Sequence, residues 1–527
     1  MKHGPALYVA FVLSGVAGLV YEVLWSRYLG LFVGHGAFAQ VLVLSVYLGG
    51  MAVGALAVSD VSRRVARPLL GYAMLEAVLG VFGLLFHPLY LAVTGFGYET
   101  VFPALGDPSL VGAVRWGLAG LLILPQAVVL GATFPLMAAG LVRADPERPG
   151  GSVASAYLLN TVGGAAGVLL AGFVFIGWLG FAGTSVAAAT LNFVAAGLVW
   201  LVARESAEIR TLATGTGEQA ANPWEAVSRE VTRPERHAVE AEPLPPVGGP
   251  RLAWLLLPVA FGTAVASFAY EIGWIRMLSL LLGSATHAFE LMLSAFILGL
   301  ALGAFVIRSF VDRLRAPLRA LGFIQIAMGL AAVASLPVYA ASFGLVADMV
   351  ESASGAPAGY GLFNTGRYGL ALAVMLPATV LAGMTLPLLT ATLMRAGAGE
   401  AAIGRVYSVN TIGAVAGSMI AGLVALPALG LEGLIVAGAL LDTALGLWIL
   451  AWCSTRAGAA ATRARMLSFA RGVGVPAIVC FAAFLAVALG PRLNQTVITG
   501  GVFHDGGLPD SESRRILYYQ DGRTATV

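Results

Sequence analysis

Apolar residues along this chain come in runs of about 20 or more, the length that crosses a bilayer, separated by short polar connections. Six runs centre on Gly18, Leu48, Gly80, Gln126, Gly167 and Thr190. A polar stretch rich in Glu and Arg then extends from about Ala203 to Arg251. Six more runs centre near Phe268, Ile297, Met328, Leu376, Gly417 and Leu441, and another extends from about Ser468 to Leu489. The remainder, 490–527, is polar and turn-rich. This pattern predicts an all-α polytopic membrane protein with about thirteen crossings.

Composition agrees with the pattern. The 527 residues are 59% hydrophobic and 11% charged, against about 25% charged in soluble domains. The first run, Pro5 to about Val33, exceeds the 7–15 residues of a signal-peptide core and reads as a retained helix. Lys2 is the single lysine, which excludes Schiff-base chemistry and a phosphate-binding G-x-x-x-x-G-K-[ST] loop beyond the extreme N-terminus. Cys453 and Cys480 lack ligand-like spacing, so no disulfide framework, metal site or cofactor is expected. No basic stripe with interleaved aromatics points to nucleic acid.

Arginine placement sets the expected orientation, because cytoplasmic loops retain an excess of Lys and Arg. Arg63, Arg64 and Arg67 follow the second run, Arg143 and Arg148 the fourth, and the long polar stretch the sixth. The second half has Arg313, Arg315 and Arg319, then Arg395 and Arg405, then Arg456, Arg463 and Arg465. The N-terminus is expected in the cytoplasm of a bacterial plasma membrane, and the C-terminal tail outside.

Two stretches resemble each other closely. "VYEVLWSRYLG" (20–30) holds Tyr21, Glu22, Trp25 and Arg27; "AYEIGWIRMLS" (269–279) holds Tyr270, Glu271, Trp274 and Arg276. The shift is constant (271 − 22 = 249) and carries Gly50 and Gly54 onto Gly299 and Gly303. Further on, Arg115, Pro125, Thr133 and Pro135 match Arg367, Pro377, Thr385 and Pro387, and Tyr157 and Asn160 match Tyr407 and Asn410. The chain is therefore a duplication. Because each half has an even number of helices, the halves are parallel repeats about an axis normal to the membrane, as in major facilitator transporters. The expected organisation is a six-helix repeat over 1–203, a linker over 204–251, a second repeat over 252–452, an additional transmembrane helix within 453–490, and a tail over 491–527.

Glycines spaced G-x-x-x-G at 50/54, 163/167, 299/303 and 413/417 are expected to let helix backbones approach closely. Trp25, Trp274 and their tyrosines fit either an interfacial aromatic belt or a site. The charges are more informative, since an ionised side chain near the bilayer centre costs roughly 3 kcal/mol on insertion scales. Glu22 and Arg27 lie about 140° apart around a helix of 3.6 residues per turn, so Glu22 is expected to find a partner on another helix, with Arg115 the first candidate. The second half offers Glu271 with Arg367 and Arg276. Two readings stay open: an ion-pair network that fixes helix assembly, and a polar site where a substrate's amine or carboxylate displaces part of that network. Asn160, Asn410, Thr133 and Thr385 form a second repeated polar set, suited to interhelical hydrogen bonds. Glu76 is matched by Gln325, with the same shape and without the charge.

The doubled Y-E-x-x-W-x-R helix, the G-x-T-x-P-L segment and the Y-x-x-N-T-x-G-x-x-x-G helix resemble the membrane part of bacterial spermidine-synthase-like fusion proteins, in which a transporter-like helical region precedes an aminopropyltransferase-type domain. "RRILYYQDGRTATV" (514–527) resembles the opening strands of that domain. The resemblance implies a membrane module that anchors a downstream domain and passes its substrate or product, with a polyamine as one candidate solute. The acidic and glycine-rich residues that the family uses for aminopropyl transfer have no match, so no catalytic residue is expected here. A stand-alone transporter of a small charged solute and a non-transporting scaffold are the alternatives.

Overall fold

The computed structural model describes residues 4–34, 37–61, 65–214, 249–283, 288–353, 359–456 and 473–489, and in the tail 493–502, 507–508, 516, 519 and 521. The first half consists of α1 (Gly4–Val33), α2 (Ala37–Val61), α3 (Pro68–Phe96), α4 (Pro108–Ala144), α5 (Pro149–Leu170) and α6 (Ile176–Thr214). The second consists of α7 (Gly249–Leu282), α8 (Ala288–Ile307), α9 (Pro317–Ala353), α10 (Gly359–Leu393), α11 (Ala401–Ile420) and α12 (Leu426–Arg456). Among the described residues, nine continuous helical stretches are long and apolar enough to cross a membrane. Two of these, Pro149–Arg204 and Ala401–Ser454, are 56 and 54 residues long, enough for two crossings each at 1.5 Å per residue.

Each long stretch breaks at a glycine. Gly180 (φ 65, ψ −173) and Gly430 (φ 71, ψ −179) leave helical space at repeat-equivalent places, in a conformation other residues adopt only at a cost. The helix beyond each break returns through the bilayer, giving six crossing elements per half. Ahead of each break lies a five-residue π-helical stretch, Ala171–Phe175 or Ala421–Ala425, so the duplication extends to irregularities of the backbone.

The repeated glycines do what their spacing predicts. A Cβ on Gly54 would run into the Val128 carbonyl of α4, and one on Gly131 into Met51 of α2. In the second half, Gly303 and Gly383 abut Val380 and Leu300 in the same way. Gly163 and Gly167 lie against Val12 and Val16 of α1, Gly413 and Gly417 against Phe261 and Val265 of α7. The halves meet where α2 packs on α11 and α5 on α8; Ser408 donates to the Ala52 carbonyl at 2.9 Å and Ser294 to the Ala165 carbonyl at 3.1 Å.

Two expectations change in detail. α13 (Val475–Leu489) has 15 described residues, short of a full crossing, and 457–472 lie outside the described residues. No strand is present among the described residues of the tail, and most of 509–527, including Arg514, lies outside them.

Candidate functional site

Trp25 and Trp274 are not belt residues. They are 1% and 0% exposed in the cores of the two halves, and each stacks on the tyrosine one turn earlier, at 5.3 Å for Tyr21–Trp25 and 5.4 Å for Tyr270–Trp274. These stacks stiffen α1 and α7 just where Glu22 and Glu271 leave the helices on another face. Both carboxylates are half-buried.

Glu22 does not meet Arg115. The Arg115 guanidinium lies over the Tyr98 and Phe102 rings, 5.6 and 5.1 Å from their centroids, a cation–π arrangement on the first half alone. Arg27 pairs instead with Glu290 of α8, and Arg276 feels the charge of Asp521 in the tail. Arg367 is 5% exposed on α10. Arg115 and Arg27 therefore stand apart from Glu22, with aromatic rings and the opposite half as their partners. Neither Glu22 nor Glu271 takes part in a hydrogen bond or ion pair among the described residues.

Tyrosines that sequence reasoning did not connect with Glu22 form an aromatic group shared by the halves. Tyr47 on α2 and Tyr407 on α11 both lie within the field of Glu22, and Tyr157 on α5 within that of Tyr407. Phe134 of α4 stacks on Tyr407 at 4.9 Å and meets Tyr157 edge-on at 6.3 Å, so the aromatic cluster spans the boundary between halves. Asn160 and Asn410, one turn beyond these tyrosines, are half-buried and make no side-chain hydrogen bond among the described residues. The interhelical bonds expected of them are absent there. Thr133 bonds back to the Leu130 carbonyl of its own helix at 2.7 Å, whereas Thr385 donates to the Leu381 carbonyl at 3.2 Å and also accepts an interhelical bond from Gln325 Nε2 of α9 at 3.5 Å.

Ion pairs join the halves on both faces of the molecule. On the face opposite the N-terminus, Glu290 is 1% exposed and takes Arg27 from the other half; Gly172, in the π-helical stretch after α5, leaves the room its side chain occupies. On the N-terminal face, Arg143 makes a two-pronged bond to Glu400, Nε to Oε1 at 2.8 Å and Nη2 to Oε2 at 2.7 Å. It also donates to the Val65 carbonyl at 2.8 Å. Asp312 accepts the backbone N–H groups of Gly150 and Gly151 at 2.9 and 2.6 Å. These are free donors in the first turn of α5, where the helix dipole favours a negative group. Arg395, the repeat counterpart of Arg143 (395 − 143 = 252), donates to the Leu314 carbonyl at 3.1 Å.

A further network lies within each half. Glu76 accepts from Ser14 at 2.6 Å and from Asn192 at 2.7 Å, while Tyr21 donates to Asn192 at 2.8 Å. In the second half Tyr270 donates to Asp442 at 2.7 Å, and Asp442 occupies the position of Asn192 (442 − 192 = 250). The Glu76–Asn192 pair becomes Gln325–Asp442, so each half keeps one buried carboxylate on opposite members of a helix pair.

Among solved structures, the proton:xylose symporter XylE, bound to 6-bromo-6-deoxy-D-glucose, superposes with a TM-score of 0.50 at 13% identity, covering 85% of this chain and 96% of that one. The fold is of the major facilitator type. The fucose:proton symporter FucP of E. coli is also similar, with a TM-score of 0.47 at 13% identity over 84% of this chain and 97% of that one. Within this fold, the Phe134–Tyr407 stack crosses between the two six-helix halves. No family model matches the chain. The curated "Polyamine aminopropyltransferase 2" of Streptomyces coelicolor is 28% identical over 199 residues, which cover 36% of this chain and 33% of that protein. The chain thus spans about a third of the curated relative that it matches.

Proposed function

We propose that this protein moves a small charged solute across the bacterial plasma membrane by opening a passage between its halves to one side and then the other, with its N-terminus in the cytoplasm. The observation that carries this reading is the pair of closures. The Arg27–Glu290 pair joins the halves on one face, and Arg143–Glu400 with Asp312 and the α5 terminus joins them on the other. A static scaffold gains nothing from half-exposed, unpaired carboxylates between two breakable seams, whereas alternating access needs each seam to break in turn.

The test needs no knowledge of the solute. In a chain with Cys453 and Cys480 replaced by Ser, Asn160→Cys places one thiol a turn beyond Tyr157. Membrane-impermeant maleimide is expected to label it from either side of oriented vesicles. Labelling from neither side would overturn the transport reading.

A second reading is favoured by the match to the Streptomyces coelicolor protein: the membrane helices serve as the membrane module of a larger polyamine aminopropyltransferase-like protein, delivering or removing its substrate or product. An antibody raised against 204–251 and used on host membranes distinguishes the two, because a product well above the mass of the 527 residues carries the additional domain.

A further inference from the structure

The connection between α8 and α9, "RSFVDRLRAPLR" (308–319), holds Arg308, Arg313, Arg315 and Arg319. Its repeat counterpart, "SDVSRRVARPLL" (59–70), holds Arg63, Arg64 and Arg67 at the same shift (317 − 68 = 249). Orientation in the membrane needs arginines somewhere in each connection, but it does not fix their places. Only Arg64 and Arg313 coincide. Arg308, Arg315 and Arg319 stand where the first half has Ser59, Ala66 and Leu70, so the second half has built a surface of its own here.

That surface is held in one shape. Val311 is buried in the core, and Asp312 accepts the Gly150 and Gly151 N–H groups of the first half. Arg395 of α10 donates to the Val311 carbonyl at 2.5 Å and to the Leu314 carbonyl at 3.1 Å. The Arg313 N–H closes a turn on the Phe310 carbonyl at 2.9 Å. With Val311 and Asp312 turned inward, all four arginines of the connection are exposed, and none of them is paired with an acid among the described residues. Glu147, exposed in the connection before α5, pairs with none of them there. A loop that is already rigid loses little freedom when a partner binds.

A second feature locates the partner. Leu302 and Phe305, near the end of α8, are 38% and 51% exposed, an apolar stripe left uncovered by the neighbouring helices. Arg308 stands one turn beyond, its guanidinium 4.5 Å from the Phe305 ring centroid. The charges thus begin where the bilayer-facing surface ends, which is the level of lipid headgroups. An acidic protein from the aqueous phase would have no use for the stripe. A phospholipid uses both parts, because its chains cover the stripe and its phosphate takes two-pronged bonds from guanidinium groups.

We propose that this connection is a docking surface for anionic phospholipid, with headgroup phosphates on Arg308, Arg313, Arg315 and Arg319 and acyl chains along Leu302 and Phe305. The surface stands whether or not the protein moves a solute.

The experiment is calorimetric titration of the purified full chain, in neutral detergent, with dioctanoyl phosphatidylglycerol, dioctanoyl phosphatidylcholine, inorganic phosphate and a poly-glutamate peptide in parallel. Phosphatidylglycerol is expected to bind at least about tenfold more tightly than each of the others, and to weaken as salt is raised. Replacing all four arginines by Gln is expected to bring phosphatidylglycerol down to the level of phosphatidylcholine. Arg67→Gln, in the counterpart connection, is expected to change its affinity less than about twofold. If the quadruple variant fails to fold, Arg313→Gln and Arg315→Gln decide singly, each expected to weaken phosphatidylglycerol about fivefold. Phosphatidylglycerol bound no more tightly than phosphatidylcholine, or as tightly without the arginines, overturns the proposal. Inorganic phosphate that matches it overturns the proposal in favour of a free-anion site, and tighter poly-glutamate in favour of an acidic protein partner.

Discussion

Glu76 and Gln325 show how one residue's chemistry is preserved after its charge is lost. The sequence shows that Gln325 keeps the shape of Glu76, but not that Asp442 restores the carboxylate from the neighbouring helix. Asn192 and Asp442 lie in long apolar runs with no motif around them, and only the packing of α3 on α6 and α9 on α12 reveals the exchange. Tyr21→Phe, which removes the bond to Asn192 and a long 3.5 Å contact to the Leu79 carbonyl, is expected to cost about 1 kcal/mol, read as a lower thermal midpoint. The same limit explains Arg115. Repeat analysis finds charges that deserve partners, whereas the partner is decided by geometry, and two rings lie closer than Glu22. At the polar connection before α4, Asp107 caps the helix by accepting the Ser109 N–H at 2.7 Å. That bond, together with the one from the Ser109 hydroxyl, holds its carboxyl below the usual range. A lowered value means the cap contributes fully above the ordinary aspartate pKa and is lost as pH falls through the folded-state value. Fraying of the first turn of α4 by hydrogen exchange is therefore expected only in acid, and Asp107→Asn is expected to remove that pH dependence.

Among elements, the glycine-lined helix pairs were the most legible, because close backbone approach demands one residue type at one spacing. Gly54 and Gly303 face carbonyls rather than movable side-chain ends, so either change to Val forces a backbone shift. A loss of about 1–3 kcal/mol is expected, the usual cost of overpacking a tight interior, visible as reduced thermal stability in detergent. The π-helical stretches were not legible: "AGFVF" and "AGLVA" have no composition that distinguishes them from ordinary helix. Gly172→Ala tests the role of the first. The added methyl meets the Glu290 side chain, so the Arg27–Glu290 pair is expected to weaken while Gly422→Ala, at the equivalent place in the other half, leaves that pair untouched. Impermeant labelling of a thiol at Asn160→Cys from the face opposite the N-terminus reads the difference.

At the scale of the whole molecule, duplication and the parallel arrangement of halves followed from the constant shift in sequence. What holds the halves together did not, because the seams are not themselves repeated. Glu290 corresponds to Val41 (290 − 249 = 41) and Glu400 to Arg148 (400 − 252 = 148), so no self-comparison could flag either acid. Arg143→Gln leaves Glu400 without its two-pronged partner. It is expected to shift the population toward the form open on the N-terminal face, raising labelling of Asn160→Cys from that side. A double substitution with Glu400→Gln is expected to show a coupling of about 1 kcal/mol, modest because both groups are partly exposed.

The tail carries a consequence for how such rocking would be felt beyond the bilayer. Asp521 accepts the Leu431 N–H at 3.1 Å, just past the Gly430 break within α12, and takes the Tyr519 hydroxyl at 3.0 Å. It thereby supplies Arg276 with the opposite charge that Glu290 supplies to Arg27, but from the tail instead of the opposing half. Among the described residues, the tail is thus fastened to the second half. If the halves rock as proposed, anything fastened to the tail swings with the second half, which becomes a lever arm that turns passage through the membrane into a mechanical signal at the surface.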